Sequence, residues 1–183
     1  MKNNGRILIV DDNEEILIAL KLFLLNHLEI VDIQKNPNMI PEIIQHQNYD
    51  VIILDMNFSA GVNTGNEGIY WMKRILEYDP LAIILFITAY GDIELAVNSI
   101  KEGATDFIQK PWDDEKLLAT ILTAVRLRKS NLEIKKLRNK QMHLSENINK
   151  SFNIFIGNSP EMQKLYRTIA KVAATEANIL ILG

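Results

Sequence analysis

Short apolar runs alternate with amphipathic stretches through the first 125 residues of this 183-residue chain. The runs have the length and composition of β-strands, and they cover residues 6–10, 29–33, 51–55, 82–88 and 106–110. The amphipathic stretches have helical spacing, and they cover residues 15–28, 39–47, 67–77, 92–102 and a fifth that begins at Asp113 and Asp114. Because parallel strands are connected through helices, this order predicts an α/β fold with a five-stranded parallel sheet.

The run at residues 51–55, VIILD, is apolar without alternation. A strand of this kind is typical of the centre of a parallel sheet, where both faces are covered by helices. The run ends in a carboxylate, Asp55. Ligands of parallel sheets bind beyond the carboxyl ends of the strands, so Asp55 is a candidate functional residue.

The fifth helical stretch has no clear end, and its apolar spacing predicts a long helix that continues past Gln141. Apolar residues at heptad spacing would allow this helix to pair with a second copy, and they are Ile134, Leu137, Leu144 and Ile148. Ser130 and Gln141 interrupt that seam. A linker that dimerises and a simple spacer helix therefore remain alternatives.

The last residues change character again. Ser159 and Pro160 form a good helix start, followed by a helical pattern at 162–174 and an apolar run at 178–182 that predicts a buried strand. A further short apolar run precedes Ser159, in the segment SFNIFIGNSP. One helix and two short strands cannot bury a useful core. We therefore expect a first domain at residues 1–125, a helical linker at 126–150, and the beginning of a second α/β domain at 151–183.

Charge supports this division. Residues 1–125 hold 9 Lys and Arg against 19 Asp and Glu, whereas residues 126–150 hold 8 against 2. An acidic domain is therefore followed by a basic helix, whose charges alternate with aliphatic residues. This favours a solvated helix face over a nucleic-acid contact. The chain has no cysteine, no signal peptide pattern and no apolar run near the roughly 20 residues of a membrane helix, so we expect a cytoplasmic protein.

Polar side chains stand at the ends of four predicted strands. Asp11 and Asp12 follow the first, Asp55 ends the third, Thr88 ends the fourth and Lys110 ends the fifth. The carboxyl ends of parallel strands share one edge of the sheet, so these groups should converge. Clustered carboxylates repel each other, and a hard divalent cation relieves the repulsion.

Oxygen ligands of this kind predict a Mg²⁺ site formed by Asp11, Asp12, Asp55 and a backbone carbonyl near Asn57. A carboxylate can also attack phosphorus and form an aspartyl phosphate, with Lys110 pairing with a phosphoryl oxygen. Taken singly, these residues have simpler interpretations as helix caps, core packing and solvated charge. Their joint appearance at strand ends favours a site.

The segments ILIVDDNEE, VIILDMNF, ITAY and GATDFIQKPW resemble the receiver domain of bacterial two-component response regulators over residues 5–125. The resemblance implies a flavodoxin-like, doubly wound sheet and a phosphoacceptor signalling module rather than a turnover enzyme. It also implies a histidine kinase as phosphodonor, Mg²⁺ as cofactor and a homodimer. The residue roles implied are phosphoacceptor Asp55, metal-site acids Asp11 and Asp12, carbonyl ligand Asn57, switch residues Thr88 and Phe107, site lysine Lys110, and a cis peptide between Lys110 and Pro111.

One departure from that family lies between Met56 and Gly68, where the loop is several residues longer and rich in Gly and Asn. A loop over the predicted site could change kinase docking, metal access or the lifetime of the phosphate. A tolerated surface insertion is an equally good interpretation.

The tail, IGNSPEMQKLYRTIAKVAATEANILILG, resembles the start of the AAA+ ATPase domain of NtrC-type, sigma-54-dependent activators. By this resemblance Gly183 would be the first glycine of a phosphate loop. The chain holds no complete nucleotide site and no helix-turn-helix segment, so we expect it neither to bind nor to hydrolyse ATP. Sigma-54 RNA polymerase and DNA would be partners of the parent protein.

Two rival functions remain. A phosphatase with an aspartyl nucleophile, as in the haloacid dehalogenase group, needs a second acid two residues after the nucleophile, where this chain has Asn57. A pseudo-receiver would be a docking module that never accepts a phosphoryl group. An intact acidic cluster argues against it.

Overall fold

A computed structural model describes residues 3–58, 66–89, 93–152, 157, 159–173 and 180. Within these residues the strands form one five-stranded sheet in the order β2-β1-β3-β4-β5, with every pairing parallel. The strands are β1 (Asn3–Val10), β2 (Leu28–Gln34), β3 (Val51–Asp55), β4 (Ile83–Thr88) and β5 (Asp106–Gln109). The predicted doubly wound α/β fold is thus confirmed.

Helices connect the strands and continue beyond the sheet. They are α1 (Glu14–Leu24), α2 (Ile40–His46), α3 (Asn66–Tyr78), α4 (Ile93–Lys101), α5 (Asp114–Phe152) and α6 (Pro160–Ala173), with a short 3-10 turn at Pro37–Met39 before α2. Asp113 begins α5 by accepting the backbone N–H of Lys116 on its side chain at 2.9 Å. The long fifth helix is confirmed.

The predicted end of α1 is wrong. Periodicity placed Leu28 in the helix, but the helix ends at Leu24 and Leu28 begins β2 opposite Asn3. The backbone N–H groups of Asn26 and His27 bond three residues back, to Phe23 and Leu24. These short bonds tighten the last turn and end the helix. Leu28 is still buried, so the apolar pattern identified a core residue but not its element.

The core lies on both faces of the sheet, and β3 and β4 are buried along their whole length. On one face the core includes Leu20 of α1 and Ile121 of α5. On the other it includes Ile40 of α2 and Met72 of α3. The two central strands are therefore fixed from both sides, and their carboxyl ends provide a rigid base for a site.

The first compact unit extends to Ile134, nine residues beyond the boundary expected at residue 125. Two basic residues of α5 connect that stretch to the sheet domain. Arg128 is 5% exposed and forms an ion pair with Asp79, and Lys129 donates to the backbone carbonyl of Asn4. The predicted solvated basic face is therefore wrong for Arg128, because its guanidinium is buried against an acid 49 residues earlier.

The second compact unit comprises residues 135–183. Ser159 caps α6 as predicted, because its hydroxyl accepts the N–H of Met162 at 3.2 Å and Pro160 is the first residue of the helix. The strand predicted at 178–182 and the phosphate-loop residue Gly183 lie outside the described residues, except for Leu180, which is 81% exposed. Across the described parts of the chain, none of the helices combines the length and apolarity needed to cross a bilayer.

Candidate functional site

Three carboxylates meet at the carboxyl edge of the sheet. Asp11 and Asp12 directly follow β1, and Asp55 is the last residue of β3. One carboxylate oxygen from each lies within 4.8 Å of the others. Asp11 and Asp55 are buried, at 1% and 8% exposure. The structure thus brings together the acids that sequence reasoning placed at strand ends.

Local hydrogen bonds explain why Asp11 belongs to this cluster rather than to the start of α1. The helix is capped by Asn13, whose side-chain oxygen accepts the N–H groups of Glu15 and Ile16 at 2.9 and 3.4 Å. Asp11 Oδ1 accepts the N–H of Asn13 at 2.8 Å and holds the cap in place. The interpretation of Asp11 and Asp12 as helix caps is therefore wrong.

Lys110 joins two of the three acids. Its Nζ lies 2.9 Å from Asp11 Oδ2 and 2.9 Å from Asp55 Oδ1. The backbone N–H of Lys110 donates to the carbonyl of Thr88 at 2.7 Å, which ties β5 to β4 at the site, and the Lys110–Pro111 peptide is cis. Burial lowers the pKa of Lys110 and is the largest single cause, but the hydrogen bonds and the negative charges of Asp11 and Asp55 together outweigh it and raise that pKa. The lysine is accordingly a fixed positive charge.

The carboxyl of Asp55 has a pKa of about 6, well above its ordinary value of 3.8. Burial is the largest cause, the hydrogen bond and charge of Lys110 oppose it, and the charges of Asp11 and Asp12 raise the pKa further. By formal charge, three carboxylates and one ammonium leave two negative charges uncompensated. The acidic cluster could therefore hold a divalent cation, and its oxygen ligands suit Mg²⁺. Asn57 lies two residues beyond Asp55 and is half-buried.

Thr88 ends β4, next to the Ile87 that pairs with Asp55 across the sheet. Its side chain is 1% exposed, and its Oγ1 has no hydrogen-bond partner among the residues that the structure describes. Phe107 lies one strand further along, opposite Phe86, and is half-buried. The predicted switch residues Thr88 and Phe107 therefore lie on neighbouring strands. The strand of Thr88 is adjacent to that of Asp55, and the strand of Phe107 is one further away.

Sequence reasoning missed two residues at the start of α3, Glu67 and Gly68, that contact the backbone of residues 55–58. A Cβ added to Gly68 would lie 2.8 Å from the carbonyl oxygen of Met56 and 3.0 Å from that of Asp55, so only glycine allows this close approach. The preceding residue, Glu67, accepts the backbone N–H of Phe58 on Oε2 at 3.0 Å. An acid followed by glycine at a helix start was the available signal.

Three acids and a lysine at the carboxyl edge of a doubly wound parallel sheet define a class of aspartate-centred sites that suit a divalent cation. The family model described as the response regulator receiver domain matches residues 7–122. The chain belongs to this family, whose members are signalling modules.

Curated proteins that resemble this chain include two regulatory proteins. The chain is 35% identical over 142 residues to the regulatory protein LuxO of Vibrio cholerae, covering 78% of this chain and 28% of LuxO. It is 27% identical over 179 residues to the DNA-binding transcriptional regulator NtrC of Proteus hauseri, covering 98% and 35%. The chain thus spans about a third of the length of these curated relatives.

A solved structure supports the fold of the first unit. The N-terminal signal receiver domain of a two-component system response regulator from Bacteroides fragilis has a TM-score of 0.61 and 43% sequence identity. The similarity covers 67% of this chain and 98% of that domain. The receiver portion is therefore matched almost end to end by an experimentally known domain.

Proposed function

We propose that this chain accepts a phosphoryl group on Asp55 from a histidine kinase in a Mg²⁺-dependent reaction. The main support for this proposal is the arrangement of charged side chains around Asp55. Asp11, Asp12 and Asp55 converge with Lys110 at the edge of the sheet, and Asp55 is buried with its carboxylate held in one orientation. Receiver domains as a family are phosphorylated in this manner.

The transfer follows from the contacts of Asp55. Lys110 holds Oδ1, so the other oxygen, Oδ2, attacks the phosphorus of the donor's phosphohistidine. The new O–P bond forms as the P–N bond breaks, and the electron pair of the broken bond returns to the imidazole nitrogen, which takes up a proton. The ammonium of Lys110 stabilises negative charge on the phosphoryl oxygens during transfer.

Asp11, Asp12, Asp55 and the backbone carbonyl of Asn57 would hold the metal ion. When bound, Mg²⁺ supplies positive charge that offsets the charge of the transferring phosphoryl group. The two uncompensated negative charges of the cluster match a divalent ion, and ligation through oxygen atoms alone suits Mg²⁺ better than softer transition metals.

The signal would pass from Asp55 to Thr88. A buried hydroxyl without a partner is unfavourable by roughly 1–3 kcal/mol, and a phosphoryl oxygen on Asp55 would offer an acceptor to Thr88 Oγ1. Movement of Thr88 towards the phosphate would let Phe107 turn inward and change the surface formed by α4, β5 and α5. In the parent protein this change would regulate an ATPase and sigma-54-dependent transcription.

Mass spectrometry after incubation with acetyl phosphate tests the proposal. The wild-type chain should gain the mass of one phosphoryl group in Mg²⁺ and none in EDTA, because the acceptor site needs the cation. The isosteric variant Asp55→Asn should gain none. Equal labelling of that variant would show that Asp55 is not the acceptor.

The same samples separate the rival functions. A wild-type chain that takes up neither Mg²⁺ nor phosphate would indicate a pseudo-receiver. Continuous hydrolysis of a generic phosphate ester, rather than a single transfer per chain, would indicate an aspartyl phosphatase.

A further inference from the structure

The peptide between Asn57 and Phe58, close to Asp55 in the chain, is hydrogen-bonded to a residue at the start of α3. Glu67 Oε2 accepts the backbone N–H of Phe58 at 3.0 Å, across nine residues of sequence. Phe58 is half-buried and packs against the core on the α2 and α3 side of the sheet. Glu67 therefore fixes the chain three residues after Asp55.

That peptide unit also contains the carbonyl of Asn57. A trans peptide is planar, and its N–H and C=O point in opposite directions. A bond that fixes the N–H of Phe58 therefore fixes the direction of the Asn57 carbonyl. A hydrogen bond accepted from the N–H also polarises the peptide, which makes the carbonyl oxygen at its other end a stronger electron-pair donor to a cation.

The start of α3, which carries Glu67, packs against the backbone of Asp55 and Met56. The adjacent Gly68 donates its N–H to the carbonyl of Met56 at 3.2 Å, and its missing side chain lets the helix lie against the backbone of Asp55 and Met56. Among the described residues the acidic cluster comprises Asp11, Asp12 and Asp55, without Glu67. Glu67 therefore acts on the site through the peptide and not as a ligand.

We propose that Glu67 is a positioning residue that orients the Asn57 carbonyl for Mg²⁺. The inference rests on the proposed function, since it assumes that this carbonyl is a metal ligand. Groups that orient the ligands of a metal generally change its affinity about 10–100-fold when they are altered. This magnitude is large enough to measure by calorimetry.

Two substitutions separate the hydrogen bond from the charge. Glu67→Asp keeps the charge but shortens the side chain, so the bond to Phe58 is lost and Mg²⁺ affinity should fall about 10–100-fold. Glu67→Gln keeps the length and a carbonyl acceptor, so the affinity should stay within about threefold of wild type. Glu77→Gln is the matched control on the same helix, where Glu77 is exposed and pairs with Arg74, and it should bind like wild type.

Amide hydrogen exchange of Phe58 in metal-free protein provides the second measurement. Exchange should be slow in the wild type and in Glu67→Gln, and fast in Glu67→Asp. The inference would be overturned if Glu67→Asp bound Mg²⁺ with wild-type affinity or kept slow exchange at Phe58. Equal weakening of Mg²⁺ binding by both variants would also overturn it. In each of these cases Mg²⁺ binding by the wild type would leave the proposed function intact. Failure of the wild type to bind Mg²⁺ would overturn the metal site itself, and with it the role of Glu67.

Discussion

At the scale of single residues, Asp55 combines two requirements that oppose each other. A nucleophilic carboxylate must be ionised, yet burial at the end of β3 favours its neutral form. Lys110 offsets part of this cost through its bond to Oδ1, and Asp11 and Asp12 add to it. The resulting pKa of about 6 means that the negative charge of Asp55 is less favourable in the folded site than in water, although the carboxyl is still mostly ionised at neutral pH.

The first prediction concerns stability against pH in EDTA. The pKa of Asp55 is about 6 when folded and 3.8 ordinarily, so the folded state binds this proton more tightly. The stability that Asp55 contributes through this tighter proton binding is fully present below pH 3.8 and is lost as pH rises through 6. Between pH 4 and 7, wild type should lose up to about 3 kcal/mol of unfolding free energy relative to Asp55→Asn, at 1.36 kcal/mol per pKa unit.

Urea unfolding of both proteins across this range measures the difference. The variant lacks the titrating group and keeps the shape of the side chain, so the titrations of residues outside the site cancel in the comparison. A difference in unfolding free energy that is constant from pH 4 to 7 would show that the pKa of Asp55 is not raised.

At the scale of elements, uniform hydrophobicity was the most informative signal. The run at β3 predicted a strand buried on both faces, and β3 is buried throughout, as is its neighbour β4. The carboxyl edge followed from topology, so Asp11, Asp55 and Lys110 could be placed together from the order of strands alone. The buried strand was therefore predictable from its local hydrophobic pattern, and the meeting of the strand-end residues was predictable from the fold class.

Contacts between distant residues were not predictable in this way. Arg128 belongs to a basic, helical stretch that has the composition of a solvated face, and only the tertiary fold brings it to Asp79. The bond from Glu67 to Phe58 likewise depends on how closely α3 approaches the backbone after Asp55. Periodicity identifies which face of an element is apolar, but it does not report which polar group finds a buried partner.

The Arg128–Asp79 pair leads to the second prediction. Arg128 is 5% exposed, so Asp79→Ala would leave a buried guanidinium without its counter-ion, and the unfolding free energy should fall by about 3–5 kcal/mol. The double variant Asp79→Ala, Arg128→Met should recover most of that loss, because an apolar side chain of similar length fills the same space. Urea unfolding of the two variants and wild type gives both values.

The exposed pair between Lys73 and Glu102 is the control for this measurement. Both side chains are about half exposed, so Glu102→Ala should leave the unfolding free energy nearly unchanged. A loss for Asp79→Ala no larger than that of the control would contradict the role of the buried pair in fixing α5 to the sheet domain.

At the scale of the whole molecule, the chain has two compact units, and α5 contributes residues to both. Ile134, Leu137 and Leu144 of this helix are 47%, 58% and 55% exposed. Their spacing of three and seven residues places them along one seam, which is the arrangement that a second copy of the helix would cover.

The last prediction is therefore that this seam makes the chain a dimer. Covering a half-exposed leucine stabilises association by roughly 1 kcal/mol. Leu137→Glu with Leu144→Glu would remove four such leucines from a dimer and weaken association by about 4 kcal/mol, roughly a thousandfold in Kd. Sedimentation equilibrium with and without beryllofluoride and Mg²⁺ should show wild-type dimers that strengthen on activation and a variant that stays monomeric.

Leu22→Glu, on the exposed side of α1 at 64% exposure, should sediment as wild type. A wild-type chain that is monomeric in both states would instead make α5 a spacer helix.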